Sequence, residues 1–247
     1  MVLPFVRDLL LELEKNAALR AVQGEVRGQA ARITGLTDTA RLFYATLLAR
    51  SAARPVLFFT ANNRQAEAAF EVIATLLELV NPSRAGAAVL LPAHDTLPYD
   101  GLSPHPEISE KRAIALWKLA QGQARLVVAP LAAAAMRLEP PEFYAGLART
   151  VRRGDWLELG ALAEHLAAVG YLRQEPVEMV GQFTVRGGIV DAWSPESARP
   201  VRLELFGDEV ESIREFDPVS QRSTGPREEV TLLPLTDFPV RRELLLE

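Results

Sequence analysis

Residues 54–60 read RPVLFFT, residues 65–79 read QAEAAFEVIATLLEL, and residues 87–91 read AAVLL. The first and last are short apolar runs suited to strands buried on both faces. The middle stretch spaces its apolar residues three and four apart, as an amphipathic helix does. Strand, helix and strand at these lengths make the crossover unit of a parallel sheet. The same alternation continues outward. A helix is predicted over 40–52, another over 108–121, and a fourth strand over 125–129 (RLVVA). Leu3, Val6, Leu10, Leu13 and Ala17 predict a further helix over 2–23, and 29–34 a short strand before a turn at 35–39. A Pro- and Gly-containing loop occupies 92–106. Residues 1–145 therefore read as an α/β domain with a parallel sheet.

The pattern changes after Glu139-Pro140-Pro141. A helix over 159–169 is followed by strand-like segments at 182–185, 188–193, 201–206 and 209–216, with Gly207-Asp208 as a hairpin turn. Residues 146–247 read as a smaller α+β domain with an antiparallel sheet. Charge divides at the same place. Residues 1–145 carry 15 basic and 14 acidic residues, a net of +1; residues 146–247 carry 12 and 18, a net of −6.

Composition excludes several function classes. There is no cysteine, so disulfide frameworks, thiolate metal sites and thiol nucleophiles are absent. His94, His105 and His165 are the three histidines, too few for a His-rich metal cage. A net charge of −5 argues against a chain whose main task is gripping nucleic acid. The apolar run at 126–136 is too short to span a bilayer and contains Pro130. Asp8, Glu12 and Glu14 interrupt the N-terminal apolar run, so no signal peptide is read there. These features predict a soluble, cytoplasmic, monomeric chain that does not engage a membrane.

The turn before the 40–52 helix sits where a nucleotide-binding domain places its phosphate loop, G-x-x-x-x-G-K-S/T. Here the frame reads Gly35-Leu36-Thr37-Asp38-Thr39-Ala40-Arg41-Leu42. Ala40 replaces the second glycine, Arg41 the lysine, and Leu42 the hydroxyl that ligates magnesium. Asp38 adds negative charge where polyphosphate would lie. The reading is a degenerate phosphate loop on a helicase-like domain, with no cofactor, no metal and no catalytic residue. The alternative is an ATP-dependent helicase or DNA-remodelling module that binds nucleotide through an unorthodox loop.

Three blocks resemble a known family. They are Leu91-Pro92-Ala93-His94-Asp95-Thr96-Leu97-Pro98-Tyr99-Asp100 with Ser103-Pro104-His105, then residues 181–191 (GQFTVRGGIVD), then residues 201–217 (VRLELFGDEVESIREFD) with Ser220-Gln221-Arg222. Together they are similar to the N-terminal region of the bacterial transcription-repair coupling factors (Mfd), and the last two also to the repair helicase UvrB. UvrB resemblance would call for an intact phosphate loop and an aromatic-rich insertion. Between Tyr99 and Ile108 the chain has only DGLSPHPE. The resemblance to coupling factors implies a UvrB-like module without ATPase activity that recruits UvrA. It implies partners for the whole protein, RNA polymerase and DNA, through domains beyond these residues. The chain reads as an N-terminal fragment.

On 201–206, Val201, Leu203 and Leu205 alternate with Arg202, Glu204 and Phe206. With the aliphatic set inward, Phe206 is expected on the solvent face beside Arg202 and Glu204. Arg186 precedes Gly187-Gly188, where a tight bend can aim it outward. The resemblance places UvrA contacts at positions matching Arg186, Arg202 and Phe206; Glu204 is a fourth candidate. Phe206→Ala and Arg202→Glu are both expected to spare the fold. Gly187, Gly188 and Gly207 are read as backbone-geometry residues. His94, Asp95 and His105 are read as part of a packed loop, Tyr99 as packing that loop, and Trp117 and Trp156 as core anchors. Arg149, Arg152 and Arg153 are read as a solvated helix or loop edge.

Overall fold

The computed structural model describes residues 2–17, 19–21, 32–96 and 101–239. In chain order its elements begin with α1 (Val2–Leu13), α2 (Asp38–Ser51), β1 (Val56–Thr60), α3 (Asn63–Val80) and β2 (Ala88–Leu90). They continue with α4 (Pro106–Ala120), β3 (Leu126–Pro130), α5 (Leu131–Ala134), α6 (Pro141–Ala145), β4 (Arg149–Arg152) and α7 (Leu159–Ala168). The last are β5 (Leu172–Arg173), β6 (Gln182–Arg186), β7 (Ile189–Ala192), β8 (Val201–Phe206), β9 (Glu209–Phe216), β10 (Ser223–Arg227) and β11 (Glu229–Leu232). Two compact units result. One comprises residues 1–97 and 118–138, the other residues 98–117 and 139–247.

In the first unit the strands are parallel in the order β1-β3-β2, with Val56 and Ala88 both opposite Leu126. Helix α3 packs on all three strands and on α1 and α2. Its inward residues are Ala66, Ala69, Ile73, Leu76, Leu77 and Val80, a stripe at helical spacing with small side chains near its N-terminus. Asn62 caps α3, its side chain accepting the Gln65 N–H at 3.0 Å. Asn63 ties the chain after β2: its side chain donates to the Ala93 carbonyl at 2.9 Å and accepts the Ala93 N–H at 2.8 Å. Thr37 caps α2 by accepting the Ala40 N–H at 3.3 Å.

Two expectations need correction here. The N-terminal helix expected over 2–23 is interrupted: α1 ends at Leu13, residues 14 and 15 form a turn, and residues 17 and 19–21 are helical again; residues 18, 22 and 23 lie outside the described residues. Of the strand expected at 29–34, residues 29–31 lie outside the described residues, and 32–34 are not strand. Ile33 is exposed, so the segment has no buried face to fix a register.

The second unit is built on a six-stranded sheet in the order β10-β9-β8-β7-β6-β5, antiparallel except for the β5–β6 pair. Phe183, Val190, Ala192, Val201, Leu203, Val210 and Ile213 are buried along it, and α7 packs on β6 and buries Leu162 and Leu166. A second, two-stranded sheet pairs β4 with β11. Sequence pattern misses β4, because Val151 is its single buried residue among Arg149, Thr150 and Arg152. Of the arginines read as a helix or loop edge, Arg149 and Arg152 therefore lie on a strand, where Arg152 meets Glu229 at 3.1 Å, and Arg153 lies in the turn that follows.

Buried polar ties lock this unit. Ser194 Oγ accepts the Leu233 N–H at 2.8 Å and donates to the Thr231 carbonyl at 3.1 Å. The Tyr171 hydroxyl donates to the Leu233 carbonyl at 2.8 Å, and burial pushes its pKa up, so it stays a donor. Arg112 on α4 donates through Nε to Asp237 at 2.8 Å, with the two side chains 1% and 2% exposed. Breaking such a buried pair from one side costs about 3–5 kcal/mol, because it strands the other charge. Arg112→Met is thus expected to lower unfolding stability by about that amount, and Arg112→Met/Asp237→Leu to recover most of it. Denaturant unfolding of the two variants checks both outcomes.

Candidate protein-docking surface

Antiparallel register gathers the candidate residues on one face of the sheet. Arg202 on β8 stands opposite Asp191 on β7 and Arg214 on β9. Glu204 stands opposite Ile189 and Ser212, and Ile189 opposite Arg186 on β6. Cross-strand partners share a face, so Arg186, Asp191, Arg202, Glu204, Ser212 and Arg214 lie together. A bulge between Glu204 and Leu205 in the β8–β9 register lets Val210 and Ile213, three apart, both be buried.

The centre of this face is Asp191, whose side chain is 1% exposed. It accepts from Arg202 Nε at 2.7 Å and Arg202 Nη2 at 2.8 Å, a bidentate pair, and from Arg186 Nη2 at 2.9 Å. Arg202 is only 17% exposed, and its guanidinium carbon sits 4.9 Å from the centroid of the buried Phe216 ring. The bonds to Asp191, ahead of every other influence, raise the Arg202 pKa above its ordinary value. Arg186 remains 44% exposed and also meets Glu175 at 3.2 Å. Glu204 accepts from Ser212 Oγ at 2.6 Å and lies 3.6 Å from Arg214 Nη2.

Phe206 stands at the end of β8 with 80% of its surface exposed. Gly207 turns the chain at φ +62°, the left-handed value that the first central position of a type II′ hairpin needs. Gly188 is required for another reason. A Cβ there would lie 2.7 Å from the Leu205 carbonyl oxygen, and the Leu205 N–H donates to the Gly188 carbonyl at 2.7 Å. The β6–β7 hairpin that carries Arg186 is thereby stitched to the strand that carries Phe206.

The structure thus separates the expected residues. Arg186 and Phe206 present surface; Arg202 is mostly buried structure with an exposed margin, and Glu204 is half-buried and paired. Alternation on β8 alone could not show this, because the partner that buries Arg202 is an aspartate on the neighbouring strand. Trp156 is no core anchor: it is 77% exposed, paired with Glu209 in an isolated antiparallel bridge. Sequence reasoning missed Asp191 and Arg214 as members of this face. The signal for Asp191 was a lone acid within an apolar strand, Ile189-Val190-Asp191-Ala192. Among the described residues no three His, Asp or Glu gather as metal ligands would, and no helix is long and apolar enough to cross a membrane.

Comparison with known proteins agrees with the family resemblance. Residues 150–238, which hold this whole face, match the family described as UvrB interaction domain. The chain is 32% identical over 211 residues to the transcription-repair-coupling factor of Bacillus subtilis (strain 168), which covers 85% of this chain and 17% of that protein. It is 35% identical over 220 residues to the one from Myxococcus xanthus, covering 89% and 18% respectively. To the one from Escherichia coli (strain K12) it is 35% identical over 145 residues, covering 59% and 13%. The chain therefore spans under a fifth of the length of the relatives it matches.

Burial sets different outcomes for two substitutions that the sequence treats alike. Phe206→Ala removes exposed surface and is expected to change stability by no more than about 0.5 kcal/mol. Arg202→Glu places a second carboxylate against buried Asp191 and is expected to cost about 3–5 kcal/mol, so it does not spare the fold. Urea midpoints of the two variants against the parent chain distinguish them.

Proposed function

We propose that this chain, a relative of the transcription-repair coupling factors, is a non-catalytic adaptor module that recruits the excision-repair protein UvrA. In a whole coupling factor it would do so at lesions where RNA polymerase has stalled. The observation that carries the reading is Phe206: a fully formed strand presents a large exposed aromatic beside a fixed arginine face, within the residues that match the UvrB interaction domain. Buried aromatics and arginines dominate protein interfaces once a partner covers them. The face is ordered before binding, since Arg202 and Arg186 are already clamped on Asp191. Preorganisation of this kind removes part of the ordering cost of association.

A non-catalytic role has its own support in the first unit. The Ala40 and Arg41 N–H groups, which a phosphate loop would turn toward a phosphate, bond instead to Thr37: Ala40 to its side chain at 3.3 Å, Arg41 to its carbonyl at 3.0 Å. Arg41 meets Asp38 at 3.5 Å on the helix surface, and Leu42 has no hydroxyl for magnesium. The helicase-like, degenerate phosphate-loop character of this unit, the division into modules at 1–145 and 146–247, and a cytoplasmic site of action belong to the same proposal.

Two measurements test it. Phe206→Ala is expected to weaken UvrA binding by about 2 kcal/mol or more, close to thirtyfold, without changing the melting temperature. Binding equal to the parent chain removes the interface. Magnesium-dependent, saturable binding of ATP at micromolar concentration, seen as a thermal shift, would favour the unorthodox helicase module instead.

A further inference from the structure

We infer that Trp156 is a second aromatic anchor of the same face, and that Trp156 and Phe206 bracket a seat over Glu209 for an arginine or lysine side chain of the docking protein. This rests on the adaptor reading and specifies the chemistry of its partner. Trp156 lies outside every regular strand, yet it is held in sheet geometry. The Leu157 N–H donates to the Asp208 carbonyl at 2.7 Å, and the Val210 N–H to the Asp155 carbonyl at 2.9 Å. These two bonds flank the Trp156–Glu209 bridge, the arrangement of a non-hydrogen-bonded antiparallel pair, in which opposed side chains stand closest. On its other side Glu209 is paired with Phe206. Partners share a face, so Phe206, Glu209 and Trp156 project in a row. Two strand spacings separate the aromatics by about 10 Å.

Exposure and charge choose the occupant. Two aromatics 80% and 77% exposed, one on either side of Glu209, are the makeup of a surface awaiting cover. A surface hollow beside Phe206 is lined by Glu209, Glu211 and Glu228 against a single cation, Arg153. Arg153 Nε is directed to the Glu211 carbonyl at 3.1 Å. Acidic residues in excess around Glu209, with an exposed aromatic on either side of it, favour a cation, which both carboxylates and aromatic quadrupoles attract. An acidic group would be repelled. The face is consequently polarised, cationic around Arg186 and Arg214 and anionic around Glu209. A partner must carry the opposite order, which fixes its orientation.

The test is a titration of UvrA with the parent chain, Phe206→Ala, Trp156→Ala, Trp156→Phe and Glu209→Gln, each also melted. Trp156→Ala is expected to melt like the parent chain and to bind about tenfold more weakly, while Trp156→Phe keeps most of the affinity. Glu209→Gln is expected to weaken binding and flatten its salt dependence. If Phe206→Ala fails to bind while Trp156→Ala binds like the parent chain, the seat is overturned and the adaptor reading stands. Unchanged affinity and salt dependence in Glu209→Gln, or a Trp156→Phe variant as weak as Trp156→Ala, also overturns the seat. If the parent chain itself does not bind UvrA, the adaptor reading falls and the seat with it.

Discussion

The carboxylate of Asp191 accepts three charge-assisted bonds in a place from which water is excluded. Burying an ion costs several kcal/mol even after relaxation, and that cost is offset only where the pairing geometry is good and both carboxylate oxygens are hydrogen-bonded. Asp191 meets this condition because β6 and β8 flank β7 and each supplies an arginine from the same face. The dependence runs both ways. Arg202 can lie over the Phe216 ring, mostly out of water, because its charge is balanced one strand away. Three strands are thereby pinned laterally by side chains as well as by the backbone ladder. The register that results decides which residues reach solvent.

That register explains an arrangement that is costly in isolation. Arg202 and Arg214 are directly opposed across β8 and β9, a like-charge pair that destabilises a bare hairpin. Asp191 holds one of them and Glu204 stands 3.6 Å from the other, so the positive charge is spread over a network rather than concentrated. What reaches the surface is the margin of this network, with Arg186 and Arg214, 44% and 48% exposed, as its exposed cations. Affinity in such a surface comes from the uncovered aromatic, and the charged margin sets which partner fits.

Much of the fold is legible in the sequence wherever a face is buried over several residues. Strands β8 and β9 begin and end at the residues that alternation and the Gly207-Asp208 turn mark. The crossover from β1 through α3 to β2 is equally plain, since apolar runs and a helical stripe leave one solution. Legibility fails where a single residue carries the burial, as Val151 does in β4. It fails again for Trp156, because aromatic character argues for a core while long-range pairing with Glu209 turns the ring outward. For the candidate face, the exposure of Phe206 follows from local alternation. The burial of Arg202 depends on an aspartate 11 residues upstream and becomes visible only once strands are paired.

The second unit is discontinuous, and its buried Arg112–Asp237 pair joins residues 125 apart. A ribosome making about 5–20 residues per second delivers the aspartate on the order of ten seconds after the arginine. Throughout that interval Asp237 is not yet there to receive the cation that will be the largest fully buried side chain of the unit. The sheet that carries the candidate face is complete in the nascent chain by Arg227, before Asp237 has been added. Vectorial synthesis therefore places the closing of this pair after the last strand of that sheet has been made.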